Sequence, residues 1–415
     1  MSLHPVLERL FAAWHDAGVV WALLREPADP ARPEGDIDLL LDSASADAAE
    51  AIAREQGFVP VPGHRFDRHL LRFDRASGQW LWLHCVTELT FGPYRAVRPR
   101  AECQCLESRR MAGLLALLAP EHEFWVTLMH GLLDQGRLSE RTRRRLAGTA
   151  ARARSGGALP DALGALLPAG WTPRLVLERA TVGDWPGLEG LALPLRKAAA
   201  RLGRPALSRR LLGLAPRVVA ELRTARARRG VSVALLGPDG AGKSTLGESL
   251  RRSSVFPSRQ VYMGLTGGWL RHVDRLRVPG IVRVGRLLVI WGRYLRGQYH
   301  VYRGRLVVFD RYVLDAEVPP PYPLGPFGRL ARRIDGRSCP PPDLVLILDA
   351  PGTVMHQRKG EYTPETLEDW RQRFLGLGTR LACARVLDTT QPPDVVQSEA
   401  MEQIWRLYAK RWTGA

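Results

Sequence analysis

Residues 237 to 245 read Gly-Pro-Asp-Gly-Ala-Gly-Lys-Ser-Thr, and their types and spacing point to one kind of chemistry. The glycines permit backbone angles that turn successive N–H groups inward, and a nest of such donors grips phosphate oxygens. A helix expected from about Lys243 adds the positive end of its dipole. Gly237, Gly242, Lys243 and Ser244 fit the spacing G-x-x-x-x-G-K-[ST]. In that arrangement the lysine reaches the β- and γ-phosphates of a triphosphate, and the serine hydroxyl ligates Mg²⁺. Lysine is otherwise scarce: of 60 basic residues only Lys197, Lys243, Lys359 and Lys410 are lysines. The residues expected to hold ATP are therefore Gly237, Asp239, Gly240, Ala241, Gly242, Lys243, Ser244 and Thr245. Mg²⁺ is the expected companion ion.

Such a loop needs a carboxylate beside it. The segment from Gly304 to Asp315 carries four apolar residues that deliver Asp310 to the end of an expected strand. In open parallel sheets the ligand crevice lies at the carboxyl ends of the strands. There Asp310 can join Ser244 in the Mg²⁺ shell or accept a proton from an attacking hydroxyl. Next to it, Arg311 offers a planar donor fork suited to an acceptor phosphate. Asp349 ends a similar apolar run but has no following arginine, and ranks below Asp310 as the metal-associated acid. Further on, Arg358, Lys359 and Glu361 precede a helix with an expected cap near Thr363, and Arg371 and Arg373 lie on it. A basic lid that closes over phosphates has this composition; so does an ordinary exposed helix start.

The front half offers a second pair of acids. Asp36 and Asp38 stand two apart on an expected strand, so their side chains leave the same face. Carboxylates so placed can share divalent cations and align a triphosphate. A third acid is expected from a neighbouring strand, where His84 stands; Glu88 lies four residues on, beyond the strand's expected end. His64 and His69 are candidates to join Asp36 and Asp38 around a metal, though a lone histidine is more often structural. Cys103 and Cys105 lack the second pair of a metal knuckle.

These groups need elements to hold them. At 415 residues, 45 % apolar and 25 % charged, the chain is expected to form two or three domains of an ordinary globular protein. Texture divides it into residues 1–105 (strands, turns and an opening helix), 106–193 (helical), a basic connector over 194–229, and 230–415. The stretch from Met111 to Gly136 is the clearest helical pattern of the second region. Beyond Val231 apolar strands alternate with helical segments, which argues for a parallel sheet covered by helices. The net charge of +18 calls for an anionic partner, and residues 195 to 230 hold eleven basic residues and one acid, Glu221. That segment reads as a solvated connector or as a contact for an anionic surface, lipid or nucleic acid. No run of about 18 apolar residues occurs, the start lacks a signal layout, and five cysteines make no disulfide framework. A cytoplasmic location is expected.

The loop, Asp310-Arg311-Tyr312 some 65 residues on, a basic lid and a late Val-Leu-Asp-Thr-Thr strand together resemble the thymidylate kinase family. The resemblance covers about residues 229 to 412. It implies a nucleoside-monophosphate-kinase-like parallel sheet with helices on both faces. It also implies ATP as donor, Asp310 near Mg²⁺ and the acceptor, Arg311 on the acceptor's phosphate, and Arg358 in the lid. Two departures stand out: the family's Thr-Arg-Glu-Pro-Gly segment is absent, and Val-Leu-Asp-Ala-Glu-Val-Pro follows Tyr312 where residues lining a thymidylate pocket belong. A small acceptor other than thymidylate is therefore expected: a nucleotide, a sugar or a glycan or natural-product intermediate. Residues 1 to 190 resemble a minimal nucleotidyltransferase of α+β fold, on the strength of Asp36 and Asp38. Its usual Gly-Ser pair is replaced by Leu24-Arg25 and its third acid by His84, which implies a degenerate, substrate-binding domain. Alternatives are an active nucleotidyltransferase with a regulatory loop domain, a basic nucleic-acid-binding ATPase, and an ATPase switch.

Overall fold

The computed structural model describes residues 3–61, 67–92, 95–202, 230–264, 279–319 and 323–414, with the side chains of 279–283 left aside. His64 and most of the basic connector lie outside the described residues. The chain divides into two compact units, Met1–Arg72 with Leu81–Val219, and Phe73–Trp80 with Ala220–Ala415.

In the first unit, α1 (Pro5–Asp16) starts at His4, whose side chain accepts from the Val6 N–H, with Pro5 in the first turn. There follow β1 (Trp21–Leu23), β2 (Asp36–Leu41), α2 (Ala46–Glu55), β3 (Val59–Pro60), β4 (Arg68–Asp74) and β5 (Gln79–Val86). These join β6 (Arg110–Ala112) and β7 (Leu115–Leu117) in a mixed sheet of order β3-β4-β5-β2-β1-β7-β6. Alternation along β2 decides the chemistry. Ile37, Leu39 and Leu41 enter the core beneath α1 and α2, and so do Leu81, Leu83 and Cys85 of β5. Asp36, Asp38 and Leu40, with Trp82 and His84, therefore leave by the opposite face. Leu40 there joins a second core built with α3 (Glu102–Glu107), α4 (Pro120–Met129), α5 (Glu140–Ala150), α6 (Ala158–Gly164), α7 (Pro173–Thr181), α8 (Trp185–Glu189) and α9 (Ala192–Leu202).

The expected helical stretch from Met111 divides differently. Residues 110–117 form the β6–β7 hairpin, turning at Gly113 with φ 62°, and β7 pairs in parallel with β1. Sheet pairing overrides the helical spacing there, and helix begins only at Pro120.

The second unit is an α/β domain with an all-parallel sheet. Its strands are β8 (Val231–Leu236), β9 (Ser258–Tyr262), β10 (Leu306–Asp310), β11 (Leu344–Asp349) and β12 (Ala384–Asp388), in the order β12-β11-β8-β10-β9. Every residue of β8 is buried, as a central strand covered on both faces requires. Helix α10 (Lys243–Ser253) follows β8; α11 (Pro279–Tyr302) precedes β10 and α12 (Pro326–Gly336) follows it. Helices α13 (Gly352–Lys359), α14 (Pro364–Arg380) and α15 (Pro393–Thr413) complete it. Ile290 and Tyr294 of α11 and Phe374 and Leu377 of α14 pack on Ala234, Val307, Phe309 and Val345. Because β8 has β11 on one side and β10 on the other, strand order reverses at its carboxyl end. That is where a crevice opens in such sheets. Among the described residues no helix is long and apolar enough to cross a membrane.

Candidate active site

The loop leaving β8 is shaped by two positions that exclude a side chain. Gly240 has φ 86°, and a Cβ there would lie 2.5 Å from the Met355 carbonyl oxygen. Gly237 has φ 145°, with the Leu348 carbonyl oxygen 2.9 Å from its notional Cβ. The loop is thus wedged between β11 and α13, which fixes its backbone donors in place. Lys243 opens α10 and is buried; its Nζ donates to the Gly237 and Pro238 carbonyls at 2.7 and 2.6 Å. Burial, with Arg311 close by, lowers its ammonium pKa to about 8. Ser244 and Thr245 follow on the exposed side of the first turn.

Asp310 arrives at the end of β10, in register with Leu235 of β8 and Tyr262 of β9. Gln260 approaches its carboxylate at 3.5 Å. Arg311 follows at φ 65°, a left-handed conformation costly for a residue with a Cβ. Its guanidinium is held by the loop: Nη2 donates to Asp239 at 2.7 Å, and Nη1 lies 3.8 Å from Asp315. Lys243 stands 3.7 Å from the same Asp239 oxygen and Lys359 3.9 Å. Three cations thus converge on the acid at the loop's third residue.

The lid residues separate. Thr363 caps α14 by accepting from the Thr366 N–H, where the sequence pattern puts a cap. Arg358 donates to the Thr389 carbonyl at 2.8 Å, so it is Lys359 that reaches the loop. Arg371 grips Asp349 through Nε and Nη2 at 2.5 and 3.0 Å. Those bonds raise its own pKa and commit Asp349 to a structural pair. The Arg371–Asp349 pair joins residues 22 apart, and sequence spacing gave no sign of it.

The first unit's acids lie differently. Asp38 faces His84 in the β2–β5 register, and its Oδ1 is 2.8 Å from His84 Nδ1. His84 thus pairs directly with Asp38 across the two strands. Arg25 bonds the other Asp38 oxygen. His84 Nε2 lies 3.5 Å from Asp67, which Arg95 also binds. Burial lowers the His84 pKa, but the two aspartates outweigh it and raise it to about 9. Burial likewise pushes Asp38 and Asp67 up, yet their partners hold both below the ordinary carboxylate value. Asp36 is exposed, and Glu88 lies beyond β5 in an exposed pair with Arg98. Asp67, just before β4, has no counterpart among the acids the sequence pattern singles out.

Do these residues fit a metal? Asp36, Asp38 and His84, and also Asp67, His69 and His84, bring ligand atoms within 4.8 Å of one another. The donor chemistry opposes it. A protonated His84 cannot ligate, and Arg25 and Arg95 already neutralise the carboxylates. His69 Nδ1 accepts the Trp82 indole N–H at 3.0 Å, which puts the ring proton on its remaining nitrogen.

The second unit is a parallel α/β domain of the kind on which phosphate-binding-loop kinases are built. Among solved structures the chain resembles thymidylate kinase from Candida albicans, at 17 % identity and a TM-score of 0.32, over 43 % of this chain and 92 % of that one. A likeness this loose adds nothing to the geometry above. No family model matches the chain, and no curated protein matches it in sequence.

Proposed function

We propose that the second unit is a phosphotransferase that moves the γ-phosphoryl group of ATP to a small acceptor. The observation that carries this reading is the loop: glycines that exclude a Cβ, followed by buried Lys243 at the head of α10. Bound Mg²⁺ would neutralise charge on the β- and γ-phosphates, held through Ser244 and Asp310. Lys243 exchanges its loop carbonyls for phosphate oxygens. The backbone N–H groups of Asp239 to Thr245 fix the chain of phosphates. Arg311, anchored by Asp239, brings positive charge to the transferring group without needing to reorganise. Lys359 supports the same acid from the lid, and Arg358 ties the lid to the β12 end through Thr389. Catalysis in this scheme is positioning and charge neutralisation.

The first unit, in this reading, binds or positions a substrate and performs no nucleotidyl transfer. The pairing of Asp38 with both His84 and Arg25 supports that, because a metal would have to displace two cations. The basic segment 195–230 remains a proposed contact for an anionic surface or nucleic acid.

The test is transfer of label from γ-labelled ATP–Mg²⁺ into nucleoside monophosphates, sugars and sugar phosphates. Label in an acceptor, lost in Lys243→Ala and kept in Asp36→Asn, is the expected result. Loss in Asp36→Asn with Lys243→Ala still active would transfer the chemistry to the first unit and overturn the reading.

A further inference from the structure

The tight helical turn Val313–Glu317 follows the β10 end and carries an acid that the scheme above leaves idle. Asp315 is only 14 % exposed at its side chain, and Val313, Leu314 and Ala316 around it are buried. Its Oδ1 is buried without a hydrogen-bond partner among the described residues. Its Oδ2 stands 3.8 Å from Arg311, whose other nitrogen is committed to Asp239. Arg332 passes close but donates to the Asp315 and Val318 carbonyls, both at 2.8 Å. Burial raises the Asp315 pKa to about 6, against the pull of Arg311 and Lys243.

A buried carboxylate oxygen with an open lone pair calls for a donor. An acceptor phosphate dianion brings no donor and adds like charge beside Asp239 and Asp315, where Arg311 is already shared between them. A neutral hydroxyl supplies the missing hydrogen at no such cost. We therefore propose that the acceptor presents an uncharged hydroxyl group, not a phosphate, and that Asp315 Oδ1 receives its hydrogen. This deepens the phosphotransferase reading and rests on it. In the step, the acceptor oxygen bonds to the γ-phosphorus of ATP as the bond from that phosphorus to the β,γ-bridging oxygen breaks. ADP leaves with the electron pair, and the hydroxyl proton passes to Asp315, which releases it once the product departs.

The test compares binding of ATP–Mg²⁺ and of adenosine 5′-pentaphosphate–Mg²⁺ to the full-length chain. The pentaphosphate extends two further phosphates toward the acceptor side. Wild-type protein is expected to bind it no more tightly than ATP, and Asp315→Asn to shift the preference about tenfold toward the pentaphosphate relative to ATP. A wild-type preference of about tenfold or more for the pentaphosphate would overturn the proposal, and that arm needs no variant to fold. Failure to bind ATP at all would instead remove the donor reading, and this inference with it. In the labelling assay, transfer to neutral sugars, polyols or nucleosides supports the proposal. Transfer onto the phosphate of a monophosphate, giving a diphosphate, overturns it while leaving the kinase reading intact.

Discussion

Two acid-bearing strand ends in this molecule have opposite fates. At the β10 end, Asp310 stands beside a loop on whose Asp239 three cations, Arg311, Lys243 and Lys359, converge. At the β2 start, Asp38 is matched by His84 and Arg25, and its neighbour Asp67 by His84 and Arg95. In the proposed reading the first arrangement serves a polyanion, while the second has closed its charge within the protein. Identical residue types would then serve binding in one place and folding in the other, and their neighbours decide which.

The comparison breaks most visibly at Lys243. Lys243→Ala should lower phosphoryl transfer by about a hundredfold or more, read by labelled transfer, while the unfolding midpoint changes little. If transfer survives, the loop is not where the donor sits. Next comes Asp38→Asn. It leaves Arg25 and protonated His84 facing a neutral amide, and should cost the first unit about 3 kcal/mol in denaturant unfolding with ATP affinity unchanged. A fall in ATP affinity of similar size would overturn the contrast drawn above.

A smaller effect sharpens the contrast through pH. His84 has a folded pKa near 9 against an ordinary 6.5, so its contribution is present in full below pH 6.5 and is lost as pH rises through 9. The first unit should lose on the order of 1–3 kcal/mol across that window, and His84→Asn should flatten the slope. The smallest change is Asp36→Asn. Although it belongs to the same two-apart pair, its exposed carboxylate should shift stability by less than about 0.5 kcal/mol.

The sequence made the loop legible because all of its parts are local: glycines, lysine and serine lie within nine positions. Four of the five parallel strands were legible for the same reason, each being a short apolar run. Strand β9, Ser-Arg-Gln-Val-Tyr, carries a single buried residue and no such signal. Long-range pairing was out of reach. Nothing in the wording near Asp239 points to Arg311, 72 residues on, or near Asp67 to Arg95. His84 could be named as the residue standing where an acid belongs, but its partnership with two aspartates needed the strand register. The hairpin over residues 110–117 was hidden by apolar spacing compatible with either period.

Arg311 sits at φ 65°, in a conformation that glycine would adopt without penalty. The chain thus carries a standing liability of about 1–2 kcal/mol at a residue whose guanidinium bridges loop and strand end. Arg311→Gly would relieve that backbone but leave Asp239 and the buried Asp315 without their guanidinium, a loss larger than the relief. A selection for thermal resistance should therefore pass the change over, so the strained conformation persists because its side chain is tied down at both ends.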